Sequence, residues 1–243
     1  MRACARTTQG VGLSKLDFNT VLAISIHDMK NSLNTVLTAL DDLLEDADSS
    51  PVDAPERLAH LRYEARRVND NLMQLLTLYR NAHGLYTPRF SPVVISELLE
   101  EHWLGYRPML EQKGISCHVD CDPELLWTLE RGLIDTLLDN VINNTVRYTQ
   151  SRIAITAREE RGWLVIQVDD DGPGFPHHML GRRALEESEP PDVSQGRTGL
   201  GLYFCALVAD LHADEHHRGY VELTNQGDLG GGCFTLRLPP VPL

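Results

Sequence analysis

One histidine in this 243-residue chain stands in company that suits a nucleophile. His27 lies within Ser25-Ile26-His27-Asp28-Met29-Lys30-Asn31-Ser32-Leu33. A neutral imidazole attacks electrophiles, and near neutral pH an exposed one is substantially unprotonated. Asp28 beside it can hold one ring tautomer or accept a proton. Asn31, four residues on, shares a helix face with His27 and can orient a water or a phosphoryl group. A second cluster is Asp139-Asn140-Val141-Ile142-Asn143-Asn144-Thr145-Val146-Arg147-Tyr148-Thr149. Asn140 and Asn144 share a face, and a carboxamide oxygen is a hard ligand suited to Mg²⁺. Arg147 and Tyr148 add a cation and a hydroxyl about one turn later. A third is Asp171-Gly172-Pro173-Gly174. Asp171 can accept a hydrogen bond from an exocyclic amine such as that of adenine, and Gly172 and Gly174 let backbone approach a flat ligand. A fourth is Gly196-Arg197-Thr198-Gly199-Leu200-Gly201-Leu202, which opens a helix. Backbone N–H groups and the helix dipole favour an anion there. It lacks the Gly-Lys-Ser/Thr of a P-loop and has no strand running into it.

Each cluster also has a plainer reading. An exposed histidine is often just solvated, asparagines cap helices or face water, and Asp-Gly is a common turn pair. Three asparagines within five residues of a helix interior still need a reason, because asparagine is a poor helix former.

Two heptad stripes position the first cluster. Leu22, Ile26, Met29, Leu33, Val36, Leu40 and Leu43 alternate at spacings of four and three, as do Leu58, Leu61, Ala65, Val68, Leu72, Leu75 and Tyr79. A period of 3.5 residues keeps an apolar stripe facing a partner helix. Asp48 to Pro55 is turn-rich, so the two helices form an antiparallel hairpin, and pairing two hairpins covers the apolar surface one leaves wet. His27 follows the seam residue Ile26 and therefore points to the solvent flank. His83-Gly84 and Pro88 end the second helix. Beyond Ser91 the texture is mixed. Val93 to Trp103 reads as a strand entering a helix. Ile115–Val119, Ile153–Ile155, Leu164–Val168 and Phe234–Leu238 alternate as strands, and Glu124–Tyr148 and Gly199–Leu211 read as helices. The fold expected is α+β: a two-helix hairpin, then a sheet covered by helices.

Composition narrows the function classes. The net charge of −13 argues against wrapping a nucleic-acid backbone. No apolar run approaches the roughly 20 residues of a membrane span, and Met1–Gly10 has no signal-peptide core. Five scattered cysteines are no disulfide framework, so a cytoplasmic setting is expected. Cys117, His118 and Cys121 lack a fourth metal ligand. Trp103, Trp127 and Trp163 read as packing residues.

Taken together and in order, the four clusters resemble those of the two-component sensor histidine kinases, over about residues 17 to 240. Ile26–Leu33 looks like the H box with His27 at the phosphoacceptor position. Asn140–Thr149 looks like the N box with Asn144 at the Mg²⁺-ligand position. Asp171–Gly174 looks like the first glycine box with Asp171 at the adenine-reading position, and Gly196–Leu202 looks like the second, flanking the ATP lid. The resemblance implies a tail (1–16), a dimerisation and histidine-phosphotransfer domain (17–84) forming a four-helix bundle between two chains, a linker (85–92) and a Bergerat-fold ATP-binding domain (93–243). It implies ATP and Mg²⁺ as ligands, with Asn140, Asn144, Arg147, Tyr148, Asp171, Gly172, Gly174, Arg197, Thr198, Gly199, Leu200 and Gly201 around the nucleotide. It implies autophosphorylation of His27 with Asp28 as base, transfer to an aspartate of a response regulator, and Asn31-assisted dephosphorylation of that regulator.

Two departures stand out. His177–Arg197 contains no phenylalanine where the family's lid often has several, and residues 1–16 are too few for a sensor domain, so a separate sensor protein is one source of input. A phosphotransfer scaffold without ATP turnover is the main rival. An ATPase using water as acceptor, and a purely dimeric interaction module, are others. Labelling by ATP separates the first two from a kinase, and the last leaves the Asn pair and the glycines unexplained.

Overall fold

The computed structural model describes residues 22, 26, 29–38, 40, 54–181 and 200–242. His27, Asp28, Arg197, Thr198 and Gly199 lie outside them, as do Leu43 and the side chain of Leu58. The described positions between 22 and 40 are helical (α1). Helix α2 (Ala54–Ala82) follows, ending with Arg80 in its last turn, where a cation suits the helix dipole. Then come β1 (Ser91–Val94), α3 (Ile95–Gln112), β2 (Ser116–Cys121), β3 (Leu126–Leu129), α4 (Arg131–Tyr148), β4 (Arg152–Glu160), β5 (Trp163–Asp170), a 3₁₀ turn (His177–Met179), α5 (Leu200–Leu211), β6 (Tyr220–Thr224) and β7 (Cys233–Leu238).

Five strands form one sheet in the order β2-β4-β5-β7-β6, and β1 pairs with β3 in a separate two-stranded ribbon. The β2–β4 pair is parallel and the others antiparallel. Strand parity divides the sheet's side chains. Ile153, Ile155, Leu164, Ile166, Val168, Phe234, Leu236, Leu238, Val221 and Leu223 form a buried apolar face. It packs against α3, α4 and α5, whose buried stripes include Leu98, Leu99, Leu137, Leu138, Phe204 and Val208. The other face carries polar pairs across the strands, such as Gln167 Nε2 donating to Thr235 Oγ1 at 3.3 Å and Arg237 to Glu160 at 3.0 Å. The fold is thus a one-sided α/β sandwich preceded by helices.

The helix expected from Glu124 begins at Arg131. Leu126–Leu129 is extended instead, because it pairs antiparallel with Ser91–Val94 and brings Trp127 opposite Val93. Trp127 is buried and its Nε1–H donates to Pro239 O at 3.3 Å. Glu130 then caps α4, its carboxylate accepting from Leu133 N at 2.8 Å. Strand β6 was not evident from the pattern, because Glu222 interrupts a short Tyr-Val-Glu-Leu-Thr run.

Two junctions hold the helices in register. On one side, His102 of α3 sits between two carboxylates of α4: Nε2 donates to Asp135 and Nδ1 to Asp139, each at 3.1 Å. Tyr106 adds its hydroxyl to Asp139 at 3.1 Å. Burial alone would lower the His102 pKa, but the two hydrogen-bonded carboxylates outweigh it and push the value up to about 9. On the other side, the buried His212 at the end of α5 donates from Nδ1 to Val208 O at 2.7 Å and accepts at Nε2 from Glu130 N at 3.1 Å. Tyr86 of the linker donates to Glu130 at 3.2 Å, and Phe90 packs edge-on to His212 at 5.3 Å. The linker is thereby anchored where α4 begins and α5 ends. Leu75 and Leu78 of α2 are buried in the same core, and Leu22 and Met29 of α1 pack against it.

Candidate functional site

Three sequence-distant segments meet at the end of the sheet where β5 stops. The first is α4. Its buried stripe, Leu133, Ile134, Leu137, Leu138, Val141, Ile142, Thr145 and Val146, faces the core. That orientation places Asn140 on the flank toward α5 and leaves Asn144 exposed. Asn140 Nδ2 donates to Cys205 Sγ at 3.4 Å, and Asn144 Nδ2 donates to Asn140 Oδ1 at 3.3 Å. Gly201 of α5 lies directly against Asn140: any Cβ there would overlap the carboxamide. The glycine of the fourth cluster is therefore needed for the second cluster to fit beside it. Arg147 and Tyr148 are both exposed in the last turn of α4, and Leu200 is buried at the start of α5.

The second segment is the loop after β5. Asp171 is committed to its neighbours. Its Oδ1 accepts from the backbone N–H of Gln150, Ser151 and Arg152 at 3.0, 2.9 and 3.1 Å, and its Oδ2 accepts from Ser151 Oγ at 2.7 Å. Desolvation is the largest single influence on Asp171 and acts to raise its pKa, but the hydrogen bonds together outweigh it and hold the carboxyl well below the usual range. Asp171 thus ties the α4–β4 turn to the end of β5. Its neighbour Asp170 has an acceptor to spare. It is 7% exposed, and its Oδ1 accepts from Gly172 N at 2.7 Å and Gly232 N at 3.3 Å. Its Oδ2 takes no hydrogen bond from a described residue. Burial raises the Asp170 pKa against the pull of those two amides, with the neighbouring Asp171 and Asp169 charges adding to the rise.

The third segment is the glycine turn Gly230-Gly231-Gly232 before β7. At Gly231 a Cβ would come within 2.5 Å of Asp170 O and 2.6 Å of Gly172 N. At Gly232 it would lie 2.9 Å from Asp170 Oδ2 and 3.0 Å from the Phe175 ring. Gly172 is pinned between Asp170 and the carbonyl of Tyr148 at the end of α4. Gly174 has φ +77° against the Asn225 side chain, which clasps the Phe175 backbone by two hydrogen bonds, at 2.7 and 2.9 Å. The wall around Asp170 is consequently backbone, which suits a flat heterocycle laid against it.

The structure thus groups Asn140, Asn144 and Gly201 on the α4–α5 flank, and Gly172, Gly174 and the Asp170–Asp171 pair where β5 ends beside the C-terminus of α4. Asn31 lies apart on α1 and is exposed, with Thr35 Oγ1 donating to its carbonyl at 3.1 Å. Two signals in the sequence point to the residues that were missed. The alternation Leu164, Ile166, Val168 continues to Asp170, and Gly230-Gly231-Gly232 stands immediately before the last strand.

A nucleotide-binding ATPase domain of the Bergerat type is the class this fold and site define. The histidine kinase-, DNA gyrase B-, and HSP90-like ATPase family matches residues 130–242. The sensor protein SrrB of Staphylococcus aureus (strain MRSA252) is 26% identical over 222 residues, 88% of this chain and 36% of that protein. The chain therefore spans little more than a third of the curated relatives it matches. The Acinetobacter baumannii histidine kinase AdeS has the same fold, with a TM-score of 0.59 at 15% identity over 88% of this chain and 98% of that one. Full-length ShkA in complex with AMPPNP gives a TM-score of 0.59 at 22% identity over 93% of this chain and 46% of that one. Residues 130–242 thus match this ATPase family, and the chain as a whole is similar to sensor histidine kinases. Among the described residues, no helix is long and apolar enough to cross a membrane.

Proposed function

We propose that this chain is an ATP-dependent protein-histidine kinase acting in the cytoplasm, which phosphorylates itself on His27 and passes the phosphoryl group to an aspartate of a response regulator. The observation that carries this reading is that α4 bears the Asn140–Asn144 pair against Gly201 of α5 on its flank and, at its C-terminal end, meets the glycine-walled loop that holds Asp170. Asp170, rather than its neighbour Asp171, accepts the exocyclic amine of adenine, since of the two Asp170 keeps an oxygen that no described residue claims and lies beside Gly172 and Gly232. Arg147, Tyr148, Leu200 and Gly201 are read as facing the phosphates, and Arg197, Thr198 and Gly199, outside the described residues, are assigned the same role from the sequence alone.

The donor set fits a hard divalent cation. Asn144 is exposed at the rim, and its Oδ1 takes no hydrogen bond from a described residue. Asn144 would hold Mg²⁺, which when bound neutralises charge on the phosphate oxygens. The remaining steps belong to the chain. The imidazole nitrogen of His27 forms a bond to the γ-phosphorus as the bond from that phosphorus to the β–γ bridging oxygen breaks. ADP leaves with the electron pair, and Asp28 takes the imidazole proton. Positioning dominates, because the transition state of phosphoryl transfer is loose. The phosphoryl group then moves to the regulator, and Asn31 orients a water for the reverse task of removing it. Two copies of the chain pair through the hairpin, and input arrives from a further segment or a separate sensor protein.

Incubation with Mg-ATP followed by mass mapping tests the reading. Phosphate on His27, lost in His27→Ala with ATP binding retained, is expected. Label entering His27→Ala at a normal rate overturns the assignment, and ATP consumption with no labelled histidine identifies an ATPase instead.

A further inference from the structure

Helix α5 meets the flank of α4 through two positions one turn apart, Gly201 and Cys205. Gly201 gives the Asn140 side chain its space, and Cys205 gives it a hydrogen-bond partner. The chain of contacts has a direction. A carboxamide has a donor end and an acceptor end, so a partner for one end sets where the other points. Cys205 Sγ accepts from Asn140 Nδ2 at 3.4 Å, which turns Asn140 Oδ1 toward Asn144. Asn144 answers with its Nδ2 at 3.3 Å, which leaves its own Oδ1 without a hydrogen bond from a described residue. Nitrogen facing outward would offer a cation two hydrogens, while oxygen offers a hard ligand.

We infer that Cys205 is a positioning residue for the cation site: by accepting from Asn140 it orients, through Asn140, the Asn144 carboxamide so that oxygen is presented to Mg²⁺. This rests on the proposed reading of Asn144 as a cation ligand. Cys205 is fully buried, and burial pushes its thiol pKa up to about 12, so it stays neutral and is no nucleophile. A residue that merely fills the core would be replaced equally well by alanine and by serine. An acceptor would not, since serine keeps an acceptor and alanine has none.

The test is equilibrium binding of a fluorescent, non-hydrolysable ATP analogue to the full chain, in EDTA and across a Mg²⁺ titration. The metal-free affinity of Cys205→Ala should match the unsubstituted chain, while the Mg²⁺ concentration needed for half of the metal-dependent tightening rises roughly tenfold, the lower end of what outer-shell partners contribute. Cys205→Ser should restore the original Mg²⁺ response. Where alanine impairs folding, Cys205→Val fills the space without offering an acceptor, and the same contrast with serine applies. An unchanged Mg²⁺ response in Cys205→Ala or Cys205→Val, or a serine variant as impaired as those, overturns the inference. Asn144→Ala separates the two levels. If it keeps the metal-dependent tightening, Asn144 is not the ligand and both readings fall. If it loses that tightening while the Cys205 variants keep it, the positioning role alone falls.

Discussion

In the ATP-binding body every helix finds a partner for its apolar stripe within the same chain. The helical pair in front of it does not. Ile95, Leu98, Leu99 and Leu137 of α3 and α4 are wholly buried, whereas Leu33 and Leu37 of α1 and Leu72 and Met73 of α2 are each about half exposed, at 47–52%. The difference teaches what each part needs. A five-stranded sheet offers one broad apolar face that three helices can close. Two helices cover little of either apolar stripe, so even heptad residues such as Ile26, Leu33 and Leu72 stay about half exposed until another surface covers them. The exceptions are informative: Leu75 and Leu78 of α2 are buried because they dock on the body.

The contrast can be broken most decisively in the body. Leu137→Ala should cost about 2–5 kcal/mol, as large-to-small changes at closed core positions do, and lower the denaturant midpoint of the body accordingly. A loss below about 0.5 kcal/mol would mean that α4 is not closed against the sheet. The next effect is electrostatic. The His102 pKa is raised above its unfolded value, so its contribution is complete below about pH 6.5 and is lost as pH climbs through about 9. Thermal midpoints should fall across that window by the equivalent of about 3 kcal/mol. His102→Gln should flatten the profile; an equally steep profile in that variant assigns the titration to another group.

Tyr86→Phe removes one partly buried hydrogen bond at the junction of linker and body, and the loss should be near 1 kcal/mol by chemical denaturation, since Glu130 keeps its bond from Leu133. No change would show the linker anchored by Phe90 alone. The smallest effect on the body belongs to the hairpin. The double variant Leu72→Glu with Leu76→Glu should leave the body's unfolding transition within about 0.5 kcal/mol while converting a dimer to a monomer in sedimentation. An assembly state that ignores both charges would mean that the exposed stripes of α1 and α2 are not covered by a second copy.

Much of this arrangement was legible before any coordinates. The heptad spacing identifies α1 and α2, and period-two alternation identifies β2, β4, β5 and β7. Legibility ended where pairing decided. Leu126–Leu129 reads as the start of a helix because it runs into one; only the partner strand Ser91–Val94 makes it extended. The Asp-Gly pair draws attention to Asp171, yet Asp171 is consumed by the 150–152 turn, some twenty residues away in sequence. Three aspartates in a row carry no label saying which faces the helices. Strand parity supplies it, once Val168 is known to be buried.

The amino-acid sequence by itself determined which residue types were available for chemistry and which periods would form helices and strands, because those are properties of neighbours a few residues apart. Tertiary structure decided which of them are free to act. A carboxylate or a carboxamide has few hydrogen-bonding ends, and partners brought from distant elements claim them first: Asp171 is taken by a turn, Asn140 by Cys205, and Asp170 is left with an oxygen facing a wall of glycine.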